Sequence, residues 1–122
     1  MIKMVALMKR KAGISTDEFI NYYENHHTRL FQDKLKGLGI VRYVRRYFTP
    51  IADPISGELR ASAFDGIMEV WFENEQSFHN WHRGPKDPNF TQIVLEDEAK
   101  LFDKSQAFFN TVKECETPIP RD

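Results

Sequence analysis

A chain with a single cysteine, Cys115, cannot close an internal disulfide, so its 122 residues must be held by packing alone. That cysteine usage suits a reducing compartment. Charge of one sign is also missing. Lys and Arg number 17 against 18 Asp and Glu, for a formal net charge of −1, which offers no strong field to nucleic acid or to an acidic membrane. No apolar run approaches the roughly 20 residues that span a bilayer. The opening Met1–Lys11 has its basic residues after the apolar run, with no small-residue cleavage site, so it does not read as a signal sequence. A cytoplasmic protein is expected. Glycine-rich turns leading from strand to helix are lacking, and Gly84-Pro85-Lys86 is not a phosphate loop, so no nucleotide cofactor is implied. His79 and His82 share a helix face at i, i+3, but no zincin pattern or nearby cysteine accompanies them, and no metal is expected. Nothing suggests a serine triad, a reactive thiol, an internal repeat or a low-complexity segment.

Aromatic residues are what the chain has in abundance. Ten phenylalanines contribute to an aromatic fraction of 13%. Such rings build cores, and they also line sites for flat organic ligands. The length fits one domain able to bury a core without staples. That domain is expected over residues 1–115, with a proline-containing tail over 116–122.

The most informative segment is Ser15 to Leu30. Ser15 with Glu18 three residues on forms a capping box, in which hydroxyl and carboxylate each satisfy an orphan backbone N–H. Phe19, Tyr22, Tyr23, His26 and Leu30 recur at helical spacing, predicting a helix from about Thr16 to Gln32. At about 100° per residue, His26 falls near the middle of the apolar stripe and His27 at its edge. Both histidines thus lie where a buried surface meets a potential pocket.

Ile2 to Lys9 reads as an interior strand, apolar on both faces. Gly39 to Thr49 reads as a second, with Val41, Tyr43, Arg45 and Tyr47 on one face and Ile40, Arg42, Val44 and Arg46 on the other. Pro50 to Ser62 is a loop with a turn at Asp53–Gly57. Phe64 to Glu73 alternates cleanly, Phe64/Gly66/Met68/Val70/Phe72 against Asp65/Ile67/Glu69/Trp71/Glu73. Asn74 caps a helix holding Phe78 and Trp81. A further helix is expected over Asn89–Leu101 and a last strand over Asp103–Cys115. The order strand–helix–strand–strand–helix–strand is the α+β, ferredoxin-like βαββαβ arrangement, a four-stranded antiparallel sheet with helices on one face. Its other face, carrying Ile67 and Trp71 beside Asp65 and Glu69, is half apolar, and a sheet-to-sheet homodimer would close it.

The segments Leu7–Ser15, Glu18–Phe19 followed by Tyr22–Leu30, Phe64–Phe72 and Glu96–Asp103 together resemble the EthD-like family of the dimeric α/β-barrel superfamily. The family commonly has a histidine three residues before a leucine. His27 fits, although Arg29 stands where a proline is usual. The resemblance implies a homodimeric barrel with a small-molecule pocket in each subunit. It also implies cofactor-free chemistry: decarboxylation, dehydration, cyclisation or isomerisation of small aromatic or polyketide-like compounds. Alternatives within the superfamily are a cofactor-free monooxygenase and a non-catalytic accessory protein that binds a small molecule.

His27 is the first candidate for acid/base work, with Asp65 as the carboxylate that sets its tautomer. The adjacent pair leaves open the exchange of roles with His26. Tyr43 is a candidate for holding a developing oxyanion. Tyr23, His26, Phe64, Trp71, Phe78 and Trp81 are candidate pocket walls. Arg42, Arg45 and Arg46 form a basic cluster suited to a carboxylate, to surface charge or to ion pairs in a dimer. The run Glu96-Asp97-Glu98 reads as a solvated helix face from which Glu98 could turn inward.

Overall fold

Residues 1–121 are described in the computed structural model. Strand β1 (Ile2–Met8) runs between two antiparallel neighbours, and this central position explains its apolar character on both faces. Strands β2 (Ile40–Tyr47), β3 (Gly66–Phe72) and β4 (Phe108–Thr111) complete a sheet of order β2-β3-β1-β4. The crossovers carry the helices α1 (Thr16–Tyr22), α2 (Thr28–Phe31), α3 (Glu75–Arg83) and α4 (Pro88–Leu101). The fold is the ferredoxin-like α+β arrangement, with the helices on one face of the sheet.

The local signals do what their chemistry requires. Ser15 Oγ accepts from the Glu18 N–H at 3.1 Å while Glu18 accepts from the Ser15 N–H at 3.1 Å, so the capping box is present. Asn74 accepts from the Ser77 N–H at 2.9 Å to start α3, and Asp87 caps α4 ahead of Pro88. In the loop after β2, Asp53 Oδ1 accepts from the N–H groups of Ile55 and Ser56, making the expected turn. Gly39 sits at φ +72°, and a Cβ there would meet Ser77 Oγ at 2.1 Å, so only glycine lets β2 start so close to α3.

The core lies between helices and sheet. Met4, Ala6, Val70 and Phe72 pack under Phe78 and Trp81 of α3. Met8, Phe19, Tyr23 and Leu101 form the second cluster under the first helical segment and α4. Phe19, with no exposed surface, contributes about 2–3 kcal/mol by burial.

Three elements differ from the sequence reading. The first helix is not one α-helix. Tyr23–His27 forms a π turn between α1 and α2, in which the Thr28 N–H reaches back to the Tyr23 carbonyl. Eight residues at about 100° each would leave His27 about 80° from the Phe19 direction, and the wider turn brings it back. Phe19 and Tyr23 therefore lie buried in line with His27, while His26 is exposed. In β2 a bulge between Ile40 and Arg42 puts Ile40 on the helix side, packed on the core, and leaves Val41 outside. Strand β4 is shorter than Asp103–Cys115, because Asp103 caps a 3₁₀ turn over Lys104–Gln106 and ladder bonding to β1 covers only four residues. Phe108, Phe109 and Val112 are consequently more than a third exposed. The expected tail has no helix or strand through residue 121, and residue 122 lies outside the described residues. Among the described residues, no helix is long and apolar enough to cross a membrane.

Candidate active site

A cavity of about 250 Å³ opens between the helices and the inner sheet face. An apolar cavity of about 150 Å³ is known to accept benzene, so this one has room for a substituted ring. Its walls are mostly apolar, with Met68, Val70, Ile40, Phe31 and Phe102 among them. Polar groups enter at a few points only: Tyr23, His27 and Tyr43, with Glu98, Asp103 and Lys9. Few polar groups on an apolar wall is the usual composition of a small-molecule site.

His27 is the one buried histidine among the described residues, at 3% exposure. Tyr23, Phe31 and Phe102 stand edge-on around it, with centroids 5.2, 5.2 and 5.6 Å away. These contacts fix the ring plane. Its Nδ1 lies 2.7 Å from Asp97 Oδ2 on α4, and the Tyr22 hydroxyl donates to the other oxygen of the same carboxylate. Burial pushes the Asp97 carboxyl up, but hydrogen bonds from Tyr22 and His27, with the charges of His27 and Lys100, outweigh it and hold it below the ordinary value. The same bond to Asp97, with burial, raises the Tyr22 phenol to about 12. An ionised Asp97 accepts from Nδ1–H, which leaves Nε2 as the basic nitrogen of a ring on the cavity wall.

Tyr43 reaches the same cavity from β2. Its hydroxyl is 2.8 Å from that of Tyr23. Burial raises both phenols, Tyr23 well above its ordinary value. A hydrogen bond from Tyr23 and the nearby Arg45 charge work against that rise in Tyr43. Tyr23 as donor leaves the Tyr43 O–H available to a ligand oxygen. Arg45 Cζ lies 4.8 Å from the Tyr43 ring centroid, and the Arg45 Nε–H and Nη2–H donate to the two oxygens of Glu24, at 2.9 and 2.6 Å. Tyr47 adds a third bond to Glu24 at 2.5 Å. Glu24 belongs to the π turn, so this clamp ties the turn to β2 and fixes the histidine relative to the tyrosine.

Of the residues expected at the site, Tyr23, His27, Tyr43 and Trp81 line the cavity. The others lie elsewhere. Asp65 does not bond His27: it accepts from the backbone N–H and the guanidinium Nε of Arg10, at 2.8 and 3.1 Å. His26 stacks on Tyr22 at the surface, centroids 4.9 Å apart. Phe64 packs edge-on to Phe108, and Phe78 packs on Phe72. Trp71 is on the outer sheet face, with Lys3 Nζ and Arg42 Cζ 3.9 and 4.7 Å from its ring centroid. Arg45 leaves the expected basic cluster for the inner face, while Arg46 pairs with Glu69. Sequence reasoning missed Asp97, Tyr22, Phe31 and Phe102. A signal for Asp97 did exist: Phe90, Val94, Asp97, Glu98 and Leu101 recur at helical spacing, and all are at least partly buried. Among the described residues, no group of three or more His, Cys, Asp or Glu stands close enough together to hold a metal ion.

The family model for the EthD domain matches residues 11–105. No curated protein sequence matches the chain significantly. Among solved structures, an EthD family protein from Bacillus halodurans C-125 is 19% identical, with a TM-score of 0.60, covering 94% of this chain and 99% of its own. An EthD-like protein from Ralstonia eutropha JMP134 is 18% identical, with a TM-score of 0.57, covering 92% and 89%. A dimeric ferredoxin-like protein from Thermobifida fusca YX is 14% identical, with a TM-score of 0.55, covering 91% and 88%.

Proposed function

We propose that this chain, which belongs to the EthD domain family, is a cytoplasmic homodimer whose cavity carries out cofactor-independent lyase or isomerase chemistry on a small aromatic or polyketide-like compound. One observation carries the reading: a buried histidine, backed by an ionised carboxylate at 2.7 Å, forms part of an apolar wall together with a tyrosine hydroxyl. In this reading Nε2 of His27 takes a proton from a carbon or hydroxyl of the bound ring. The electron pair moves onto a ligand oxygen, where the Tyr43 O–H meets the developing charge. Return of the proton at another atom gives an isomer; loss of a leaving group gives a lyase product. The apolar lining supports this by excluding water, which strengthens both interactions. Dimerisation is favoured by the outer sheet face, which carries the large aromatic side chain of Trp71 beside Ile67, and by the dimeric ferredoxin-like protein of similar fold.

A base-catalysed ring opening tests the chemistry directly. Nitrobenzisoxazole loses a carbon-bound proton, its N–O bond breaks, and a coloured nitrophenolate forms with no cofactor. The protein is expected to accelerate this reaction, with His27→Ala lowering the rate by about 10²–10⁴-fold and Tyr43→Phe by a smaller factor. Circular dichroism would establish that both variants fold. A folded His27→Ala protein as active as the parent would overturn the assignment.

A further inference from the structure

Trp81 and Phe109 each line two hollows. On one side is the cavity just described. On the other is a cleft of about 640 Å³ between α3 and β4. The chemistry of the two differs. The charged groups lining the cavity are Lys9, Glu98 and Asp103 beside His27, of both signs, and Glu98 pairs with Lys104 at 3.4 Å. The cleft is lined by His79, His82, Arg83 and Lys86, and its lining includes no carboxylate. Among the described residues, neither Arg83 nor Lys86 has a carboxylate within ion-pair distance. Glu75, at the far end of α3, lines a separate neighbouring hollow.

The cleft also has a flat wall. The His82 ring stacks on Phe78 at 5.4 Å with 14° between planes, and on Trp81 at 6.2 Å with 23°. Lys86 donates to the Trp81 carbonyl, which anchors its ammonium at the C-terminal end of α3. From β4, Asn110 and Thr111 add neutral hydrogen-bonding groups.

We propose that this cleft is the mouth of the cavity and that it selects planar anions, with an aromatic or conjugated carboxylate as the ligand class. The inference rests on the reading of the cavity as a ligand site. Unpaired cations in a cleft concentrate anions and raise association rates about 10–10³-fold. The stacked rings hold the flat body of the ligand, and Trp81 and Phe109 form the passage inward. The anionic end stays against Arg83 and Lys86, whose charges no carboxylate of the cleft lining offsets. The ring end reaches His27 and Tyr43.

The test uses naphthoate and its neutral analogue naphthamide, with stopped-flow quenching of tryptophan fluorescence. A Trp71→Phe background leaves Trp81 as the only indole of the chain's two. Naphthoate should associate about tenfold faster than naphthamide at low salt. Arg83→Gln with Lys86→Gln should remove that advantage and leave naphthamide binding unchanged; glutamine keeps a donor for the Trp81 carbonyl. Unchanged amide binding also shows that the double variant is folded. Equal rates for the two ligands, or a naphthoate rate indifferent to the double substitution, would overturn the proposal. Failure of both ligands to bind the parent would overturn the cavity reading and this inference with it.

Discussion

Replacing Asp97 by asparagine keeps the shape of the side chain and removes its charge. The parent carboxylate accepts from two donors, Nδ1–H of His27 at 2.7 Å and the Tyr22 hydroxyl. An amide has one acceptor oxygen and one donor nitrogen, so it cannot serve both in the same way. With the Asn oxygen on Tyr22, its N–H₂ faces His27, and the ring must present Nδ1 as an acceptor. The proton then moves to Nε2, and the nitrogen on the cavity side ceases to be a base. Loss of the base should cost about 10²–10⁴-fold in nitrobenzisoxazole turnover, close to the effect of deleting the ring. Losing the bond to a charged acceptor should also cost about 1.5–3 kcal/mol of stability, or about 6–12 °C in Tm for a chain of this length. Long-range proton–nitrogen NMR of the imidazole reads the tautomer, and the same samples give turnover and Tm. A variant that still carries its proton on Nδ1, with parental turnover, would refute the reasoning from geometry to base.

Two further outcomes follow from the clamp and from the outer face. The Glu24 carboxyl is held below its ordinary value of 4.5, chiefly by hydrogen bonds from Arg45. A value lower in the folded than in the unfolded chain adds stability that is present above about pH 4.5 and fades as pH falls through the folded value. Glu24→Gln should therefore lower Tm at pH 7, by an amount corresponding to about 1–2 kcal/mol, and flatten the acid limb of a Tm–pH curve. A curve parallel to that of the parent would show that the clamp contributes nothing. Trp71→Glu places a charge on the outer sheet face and should convert a dimer to a monomer in sedimentation experiments. A monomeric parent at every concentration, or a variant of undiminished mass, would remove the homodimer.

The fold was legible because its signals are local. Alternation in Phe64–Phe72, the Ser15–Glu18 box and the Asn74 cap each announce an element within a few residues, and each stands as read. The site was legible in part. His27 announced itself by lying next to an apolar stripe, but its neighbours come from distant segments. Asp97 is 70 residues away in sequence, and between two other acidic residues it resembles a solvated face. Asp65 has the right residue type, and its position at the start of β3 hands it to Arg10 instead. The placement of His26 and His27 failed for a different reason. Helical spacing assumes a constant winding, and a π turn changes the winding without any marker in composition. The bulge at Val41 does the same for β2, moving Ile40 across the sheet.

The widened turn has a consequence for comparing this chain with its relatives. It acts as a phase shifter, so positions before and after it obey different frames. Aligning two such helices by hydrophobic pattern alone would match His26 of this chain to a relative's inward ring whenever that relative winds uniformly. The equivalent group should be sought by what its imidazole touches across the helix layer, since an added residue can pass the same task to the next position along the chain.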